Sequence, residues 1–376
     1  MELTASEKTI LTAIGANDGI SRKELAKATG LSPGSVTLLT KALLQGGYIV
    51  EGERIGAGLG RKEVLLHANP DKFYFLGIDI GGYRVRMAVS DNRFAILHEA
   101  EFLIADVDED APKEAWVVAS AVRLMEDIGM DTSAIAAIGI GVTGIVDAGR
   151  SLVLSIPNAK HWERLDLPQA FRQSFRCPVY VEEGGRTMLL AEKFMGKAKD
   201  EADYIVVHSA YSVVAGMMIG GQTLRGARNA GGLLGHITAD PNGTRCTCGN
   251  YGCLENIVTY PMLEHEYKNR DGQYPSLIEA YRLNDKTAID VCIEAGQAFG
   301  IALSNVVNLF NPVSIYLGGP MFDDFPILFE EMKRTITLRA NRFATLGLQL
   351  ERSSHNHRQG LYGALILAKH ELLFPS

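Results

Sequence analysis

The spacing of apolar positions changes once along this chain, and the change divides it. Over residues 1–70 the apolar side chains recur at helical intervals. Ile10, Leu11 and Ile14 follow the capping run Thr4-Ala5-Ser6-Glu7 and precede Gly15 and Gly19, which predicts a first helix. A second helix is predicted from Ser21, whose Ser-x-x-Glu run to Glu24 is a capping box, as far as Gly30. Ser32-Pro33 then supplies the cap and first turn of a third. Two helices joined by a short turn containing glycine form a helix-turn-helix, whose second helix enters the DNA major groove with its N-terminus leading. Its leading positions, Ser32, Pro33, Gly34, Ser35, Thr37 and Lys41, are the candidate DNA contacts. After Gly46-Gly47, the apolar runs Tyr48-Ile49-Val50 and Val64-Leu65-Leu66 flank the loop Gly56-Ala57-Gly58-Leu59-Gly60-Arg61-Lys62. This reads as a hairpin with a long tip, a wing that offers Arg54, Arg61 and Lys62 to phosphates or a minor groove.

Beyond Asn69-Pro70 strands and helices alternate, the pattern of an α/β fold. Residues 73–80, 84–89 and 94–97 read as strands, 112–128 as a helix and 135–142 as a buried strand. Further on, 289–310 reads as a long helix in which Gly296 and Gly300 permit close packing. Asn311-Pro312, a strand over 313–317 and the turn Gly318-Gly319-Pro320-Met321 follow, and a last helix near 358–372 is expected to pack back on the first lobe. There is no repeat of solenoid length and no low-complexity tract.

Composition narrows the function. A chain of 376 residues, 47% hydrophobic and 22% charged, can bury sizeable cores in two or three domains. A net charge of −7 argues against wholesale coating of nucleic acid. The charge is unevenly spread: residues 1–70 carry eight Lys and Arg against seven Asp and Glu, the remainder 29 against 37. A near-neutral head on an acidic body permits local DNA contact. No apolar run approaches the roughly 20 residues that cross a bilayer, and the first residues lack the blocks of a signal peptide, so a cytoplasmic location is expected.

The chemistry is concentrated in Gly235-His236 and Cys246-Thr247-Cys248-Gly249-Asn250-Tyr251-Gly252-Cys253. One imidazole and three thiolates at this spacing can close a tetrahedral zinc site, with sulfur at about 2.3 Å and nitrogen at about 2.0 Å. The ligand set His236, Cys246, Cys248 and Cys253 leaves no position open for water, so the metal is expected to be a structural staple rather than a hydrolytic centre. The alternative is a disulfide beside a satisfied histidine. Cys177 and Cys292 stand alone in apolar surroundings and read as buried thiols.

Gly-His, nine residues, Cys-x-Cys, four residues, Cys, then Leu-Glu resembles the signature of the ROK family, whose members are sugar-responsive repressors and sugar kinases. The resemblance implies a winged helix-turn-helix over 1–70 followed by a two-lobed, actin-like ATPase (ribonuclease H-like) fold. The first α/β lobe is expected to span 71–183 plus 355–376, and the second 184–354, holding the zinc site and the dimer interface.

Departures from the kinase pattern choose the branch. The first phosphate loop of ROK kinases, Asp-x-Gly-Gly-Thr-Lys, reads here Asp79-Ile80-Gly81-Gly82-Tyr83-Arg84. Their second, Gly-Thr-Gly-x-Gly, falls on Ala210-Tyr211-Ser212-Val213-Val214, where all three glycines are gone. Side chains there block the approach of backbone amides to phosphate. The segment holding the catalytic Asp reads Val181-Glu182-Glu183-Gly184-Gly185-Arg186, with Gly184 at the Asp position. General-base catalysis contributes roughly 10²- to 10⁴-fold, so the resemblance implies a non-catalytic domain with no catalytic residues.

The ligand site is then expected to keep Asn158 in Ser155-Ile156-Pro157-Asn158, the second acid Glu255, Glu183, and His236 through its second ring edge. The family's Glu-x-Gly-His reads Leu233-Leu234-Gly235-His236, so the first acid is lost. Arg186 beside Gly184 and Gly185 suggests an anionic group on the effector; Leu233 suggests an effector other than an ordinary hexose. The sequence therefore reads as a regulator, a repressor of carbohydrate genes, bound to double-stranded operator DNA as a homodimer or tetramer and controlled by a sugar or sugar phosphate. Two alternatives stand beside it. A ROK-type sugar kinase with a fused DNA-binding head would consume ATP, and a repressor governed by a partner protein would co-purify with it.

Overall fold

The computed structural model describes residues 3–15, 17, 19–55, 63–157, 159 and 161–374. Its head consists of α1 (Ala5–Gly15), β1 (Ile20–Ser21), α2 (Arg22–Thr29), α3 (Pro33–Gln45), β2 (Ile49–Ile55) and β3 (Glu63–Ala68). Each helix starts where its cap was legible. Thr4 N–H donates to Glu7 Oε2 at 2.8 Å and Glu7 N–H to Thr4 Oγ1 at 3.3 Å. Ser21 and Glu24 exchange the same pair of bonds at 2.9 and 3.3 Å, and Gly30, at φ 69°, ends α2. Ile10, Ile14, Leu25, Val36, Leu43, Ile49 and Leu66 form the head's core. The hairpin β2–β3 gains β1 as a third strand, Ile20 pairing with Leu66. Two residues carry no period, so β1 had no signal in the sequence. The wing tip, including Arg61 and Lys62, lies outside the described residues.

The first lobe holds β4 (Tyr74–Ile80), β5 (Arg84–Ser90), β6 (Ile96–Leu103), α4 (Lys113–Glu126), β7 (Ile135–Val142), β8 (Ile145–Val146), β9 (Val153–Ser155), α5 (Leu167–Phe171) and β10 (Val179–Glu183). Five strands form its sheet in the order β10-β7-β4-β5-β6, the first three parallel and the last two antiparallel. The expected strand over 94–97 is instead β6, because Phe94 turns at φ 65° and the strand continues through His98, Glu99 and Glu101. An edge strand with alternate residues in solvent carries polar side chains that end an apolar run early.

Helix α6 (Gly184–Met195) leads to the second lobe, built on β11 (Tyr204–Ser209), β12 (Val213–Ile219) and β13 (Gln222–Thr223). There follow α7 (Glu255–Val258), α8 (Tyr260–Asn269), α9 (Leu277–Arg282), α10 (Lys286–Phe310), β14 (Ser314–Gly318), α11 (Pro320–Asp324), α12 (Pro326–Arg339) and β15 (Gln349–Arg352). The sheet order is β13-β12-β11-β14-β15. Helices α10 and α12 pack closely at the expected glycines: a Cβ on Gly296 would lie 2.6 Å from the Leu328 carbonyl oxygen, and one on Gly300 2.8 Å from that of Met332. Helix α13 (Gln359–Leu373) returns to the first lobe and lies across β4 and β7, so close that a Cβ on Gly139 would meet the Ala364 carbonyl oxygen at 2.0 Å. No helix among the described residues is long and apolar enough to cross a membrane.

Candidate functional site

The ligand atoms of His236, Cys246, Cys248 and Cys253 lie within 4.8 Å of one another. His236 Nδ1 is 3.7 Å from Cys246 Sγ, and the Cys248 and Cys253 sulfurs are 3.6 Å apart. A tetrahedral ion with sulfur at about 2.3 Å requires ligand separations near these, so the donor set fits a metal in both chemistry and span. The loop is folded by its own backbone: Cys246 N–H donates to the Asn250 carbonyl at 2.7 Å, and Gly249 turns at φ 96°. All five cysteines are free thiols. Cys292 is buried as expected, Cys177 only half-buried; burial pushes their thiols up to about 12 and about 11, which keeps both protonated.

Beside the cluster a cavity of about 760 Å³ opens between the lobes. From the first lobe it receives Thr143, Gly144 and the loop residues Ser155, Ile156, Pro157 and Ala159; from the second, Ser212 to Ala215, Leu233 and Glu255. His236 and Cys248 line it as well, so the His/Cys cluster forms part of its wall. Asn158, the expected sugar contact, lies outside the described residues, although its neighbours on both sides border the cavity. Glu255, at the start of α7, accepts from Val213 N–H at 3.0 Å, which ties the metal loop to the β11–β12 turn. Leu233, which replaces the family's first acid, is 44% exposed in this wall.

Glu183 caps α6, accepting from Gly185 N–H at 3.0 Å and Arg186 N–H at 3.2 Å, and it lines the same cavity. Burial pushes its carboxyl up to about 7 against the pull of Arg186 and the two amides. Arg186 itself turns away. Its Nε donates to Glu182 Oε1 at 2.8 Å and its Nη2 to the Asn229 carbonyl at 3.2 Å, and it does not line the cavity. The expectation of an anion held by Arg186 is corrected accordingly. Glu182, from the same strand end, is the buried anion that engages it, together with Arg225 at 2.6 Å and Arg150 at 3.3 Å. Burial alone would raise Glu182; the three guanidinium groups outweigh it and hold the carboxylate below its ordinary range.

A second, smaller space of about 310 Å³ adjoins the first and shares Thr143, Ser212 and Val214 with it. It is lined by the two segments, 79–84 and 210–214, that the sequence matched to the family's phosphate loops. Tyr83 from the β4–β5 turn and Tyr211 from the β11–β12 turn meet across it, their rings stacked at 3.8 Å between centroids and 9° from parallel. Each tyrosine was legible as a departure from the phosphate loops, but their pairing was not. Asp79 beneath them lies 3.7 Å from Arg86, which is itself paired with Glu101 at 2.7 Å. Burial drives His208 down to about 4, with Arg86 and Arg84 adding to the effect, so a neutral imidazole faces the space. Gly184 is the first residue of α6, and a Cβ there would already lie 3.3 Å from Thr143 Oγ1.

On the head, Ser32, Pro33, Gly34, Thr37 and Lys41 are exposed and Ser35 is half-buried. Ser32 caps α3 by accepting from Ser35 N–H at 3.2 Å. Arg54, near the end of β2, is exposed opposite Val64. Leu38, 71% exposed on the same helix, was hidden in the sequence by the neighbouring Leu39, which packs on the core. Trp162 is buried against Trp116, with ring centroids 5.9 Å apart, and belongs to the first lobe's core.

Comparison with known proteins agrees with this architecture. The winged helix-turn-helix DNA-binding family model matches residues 3–50, and the model of the ROK family matches residues 75–371. The xylose repressor of Caldicellulosiruptor bescii is 28% identical over 97% of this chain and 96% of its own. A crystal structure of a ROK family transcriptional regulator, a homologue of the E. coli MLC protein, superposes with a TM-score of 0.80 at 26% identity, covering 98% of this chain and 96% of the other. The ROK family glucokinase from Streptomyces griseus in complex with glucose and AMPPNP gives a TM-score of 0.69 at 25% identity, covering 79% of this chain and 99% of the enzyme. The fold is therefore an N-terminal winged helix-turn-helix joined to an actin-like sugar-kinase fold, and the chain belongs to the ROK family.

Proposed function

We propose that this protein is a DNA-binding transcriptional regulator, a repressor of carbohydrate-metabolism genes, controlled by a sugar or sugar derivative bound between its two lobes. The observation that carries this reading is one cleft with two fates. The half that would hold a sugar remains an open cavity bordered by Glu183, Glu255 and His236, while the half that would hold nucleotide phosphates is crossed by stacked Tyr83 and Tyr211. Binding without phosphoryl transfer is what such a cleft supports. Gly184 in place of a catalytic base supports it further, because a glycine can accept no proton from a sugar hydroxyl. Full-length similarity to the xylose repressor supports the assignment to the regulators.

The chemistry of the four-ligand cluster supports structural zinc. When bound, zinc would hold His236 and Cys248 as a rigid cavity wall and supply no reactive position. Leu233 favours an effector lacking a hydroxyl, or bearing an apolar group, where it meets that side chain. In the proposed mechanism the protein acts in the cytoplasm as a homodimer. Effector changes the closure of the lobes and hence the placement of two heads on half-sites about one DNA turn, or a multiple, apart. Exposed Leu309, Leu338, Phe343 and Leu346, near the junction of α10 with the end of α12, support the second lobe as the dimer surface.

The test is selection of genomic DNA fragments on the purified protein at moderate salt, followed by sequencing of what is retained. Enrichment of palindromic sites beside carbohydrate genes is the expected result and names candidate effectors. No enrichment at any salt concentration overturns the regulator reading. A coupled ATP-consumption assay over a sugar panel is expected to show no turnover; turnover would restore the kinase.

A further inference from the structure

The outward face of α3 has few free hydrogen-bonding groups to present to base edges. The hydroxyls of Ser32 and Ser35 lie 2.9 Å apart within the helix cap, and Thr37 Oγ1 donates to the Pro33 carbonyl at 2.8 Å. Gly34 has no side chain, and Lys41, one turn further on, suits a phosphate better than a base. At the centre of this face stands Leu38, 71% exposed and outside the head's core. The helix carries no acidic residue and exposes Lys41, so its own charge does not repel a polyanion. Within the major groove the apolar feature of the base edges is the 5-methyl group of thymine.

Resting on the DNA-binding reading above, we propose that Leu38 is a specificity-determining residue that packs on a thymine methyl in each operator half-site. The head then reads its site through methyl contacts more than through paired hydrogen bonds, with Lys41 and the wing's Arg54 positioning it on the backbone. Burying one methyl group against leucine is worth roughly four-fold in affinity.

The experiment begins with operator DNA selected from a random pool by the full-length protein. Each thymine of the half-site is replaced singly by deoxyuridine, which removes the methyl group and leaves base pairing intact. At one thymine the replacement is expected to weaken binding by about four-fold for the native protein and by less than about two-fold for Leu38→Ala. Leu38→Gln is expected to shift the selected base at that position towards adenine, whose N6 and N7 a glutamine pairs with. Because Leu38 is exposed, both variants should unfold at the native temperature, which separates lost recognition from lost fold. Equal deoxyuridine sensitivity of native and Leu38→Ala protein at every thymine overturns the inference while leaving DNA binding intact. Failure to select any DNA overturns the reading beneath it, and this inference with it.

Discussion

At Glu183 one carboxyl group caps a helix, faces the cavity between the lobes and lies 4.0 Å from a guanidinium nitrogen of Arg186. Burial dominates and lifts it from 4.5 to about 7. An acid whose native pKa lies above its unfolded value binds protons on folding, so the native state loses stability as pH rises through that interval. The loss begins above about pH 4.5, is complete above about 7, and amounts to at most about 3 kcal/mol. Urea unfolding of the native protein is expected to show this decline, and Glu183→Gln, which keeps an acceptor for the cap, to flatten it. An unchanged slope in the variant would place the titration elsewhere. Gly184 next door was readable in the sequence because a missing side chain is a local fact. The full engagement of Arg186 was not: Glu182 lies one helical turn away, but the Asn229 carbonyl that also holds the guanidinium is 43 residues distant.

Among the elements, the cysteine loop over 246–253 is the clearest case of short-range code. Its cysteines are close in sequence, so their spacing and glycine turns already constrain them to one point, and the structure brings them together with His236. The loop's reach is a tertiary matter: Glu255 follows it and holds Val213 N–H, and Cys248 lines the cavity. Metal removal is therefore expected to act twice. Chelation, or Cys246→Ser, should release about one zinc per chain, lower the thermal unfolding midpoint, and reduce the additional stabilisation produced by whichever sugar raises that midpoint in the native protein. Metal analysis alongside thermal unfolding checks all three. Metal loss with both midpoints unchanged would reduce the cluster to a passenger. The helix caps of the head behaved similarly, Ser21 and Glu24 being three residues apart, whereas the edge strand β6 escaped because its polar residues break the apolar run.

For the whole molecule the question is how a cleft in the body reaches the head. Helix α13 begins at the cleft, where a Cβ on Gly360 would lie 2.6 Å from the Asp79 carboxylate, and ends beside the head, where Lys369 Nζ donates to the Asn92 carbonyl at 2.6 Å. Asn92 Nδ2 in turn donates to the Asn69 carbonyl at 2.8 Å, and Lys72 Nζ to the Gly46 carbonyl at 2.9 Å. The joint between head and body is thus clamped by hydrogen bonds. Asn92→Ala removes one of them, worth about 1 kcal/mol. It should weaken binding to a two-half-site operator about five-fold or more while leaving binding to a single half-site nearly unchanged, as gel-shift titrations on the two DNAs would record. Equal losses on both would place the effect within the head.

Taken alone, the sequence determined what short-range physics determines: helix starts from caps, the change from helical to alternating periodicity at Asn69-Pro70, and the gathering of three cysteines and a histidine into one cluster from their spacing. Tertiary structure decided every pairing between distant segments. It stacked Tyr83 on Tyr211, drew Arg186 to the Asn229 carbonyl, left Leu38 in solvent while burying Leu43, and linked α13 through Asn92 to Asn69 at the foot of the head. The reason is that a side chain's type sets what it can bond, but its partner is chosen by which surfaces the fold brings within a few ångströms, and that depends on the packing of the whole chain.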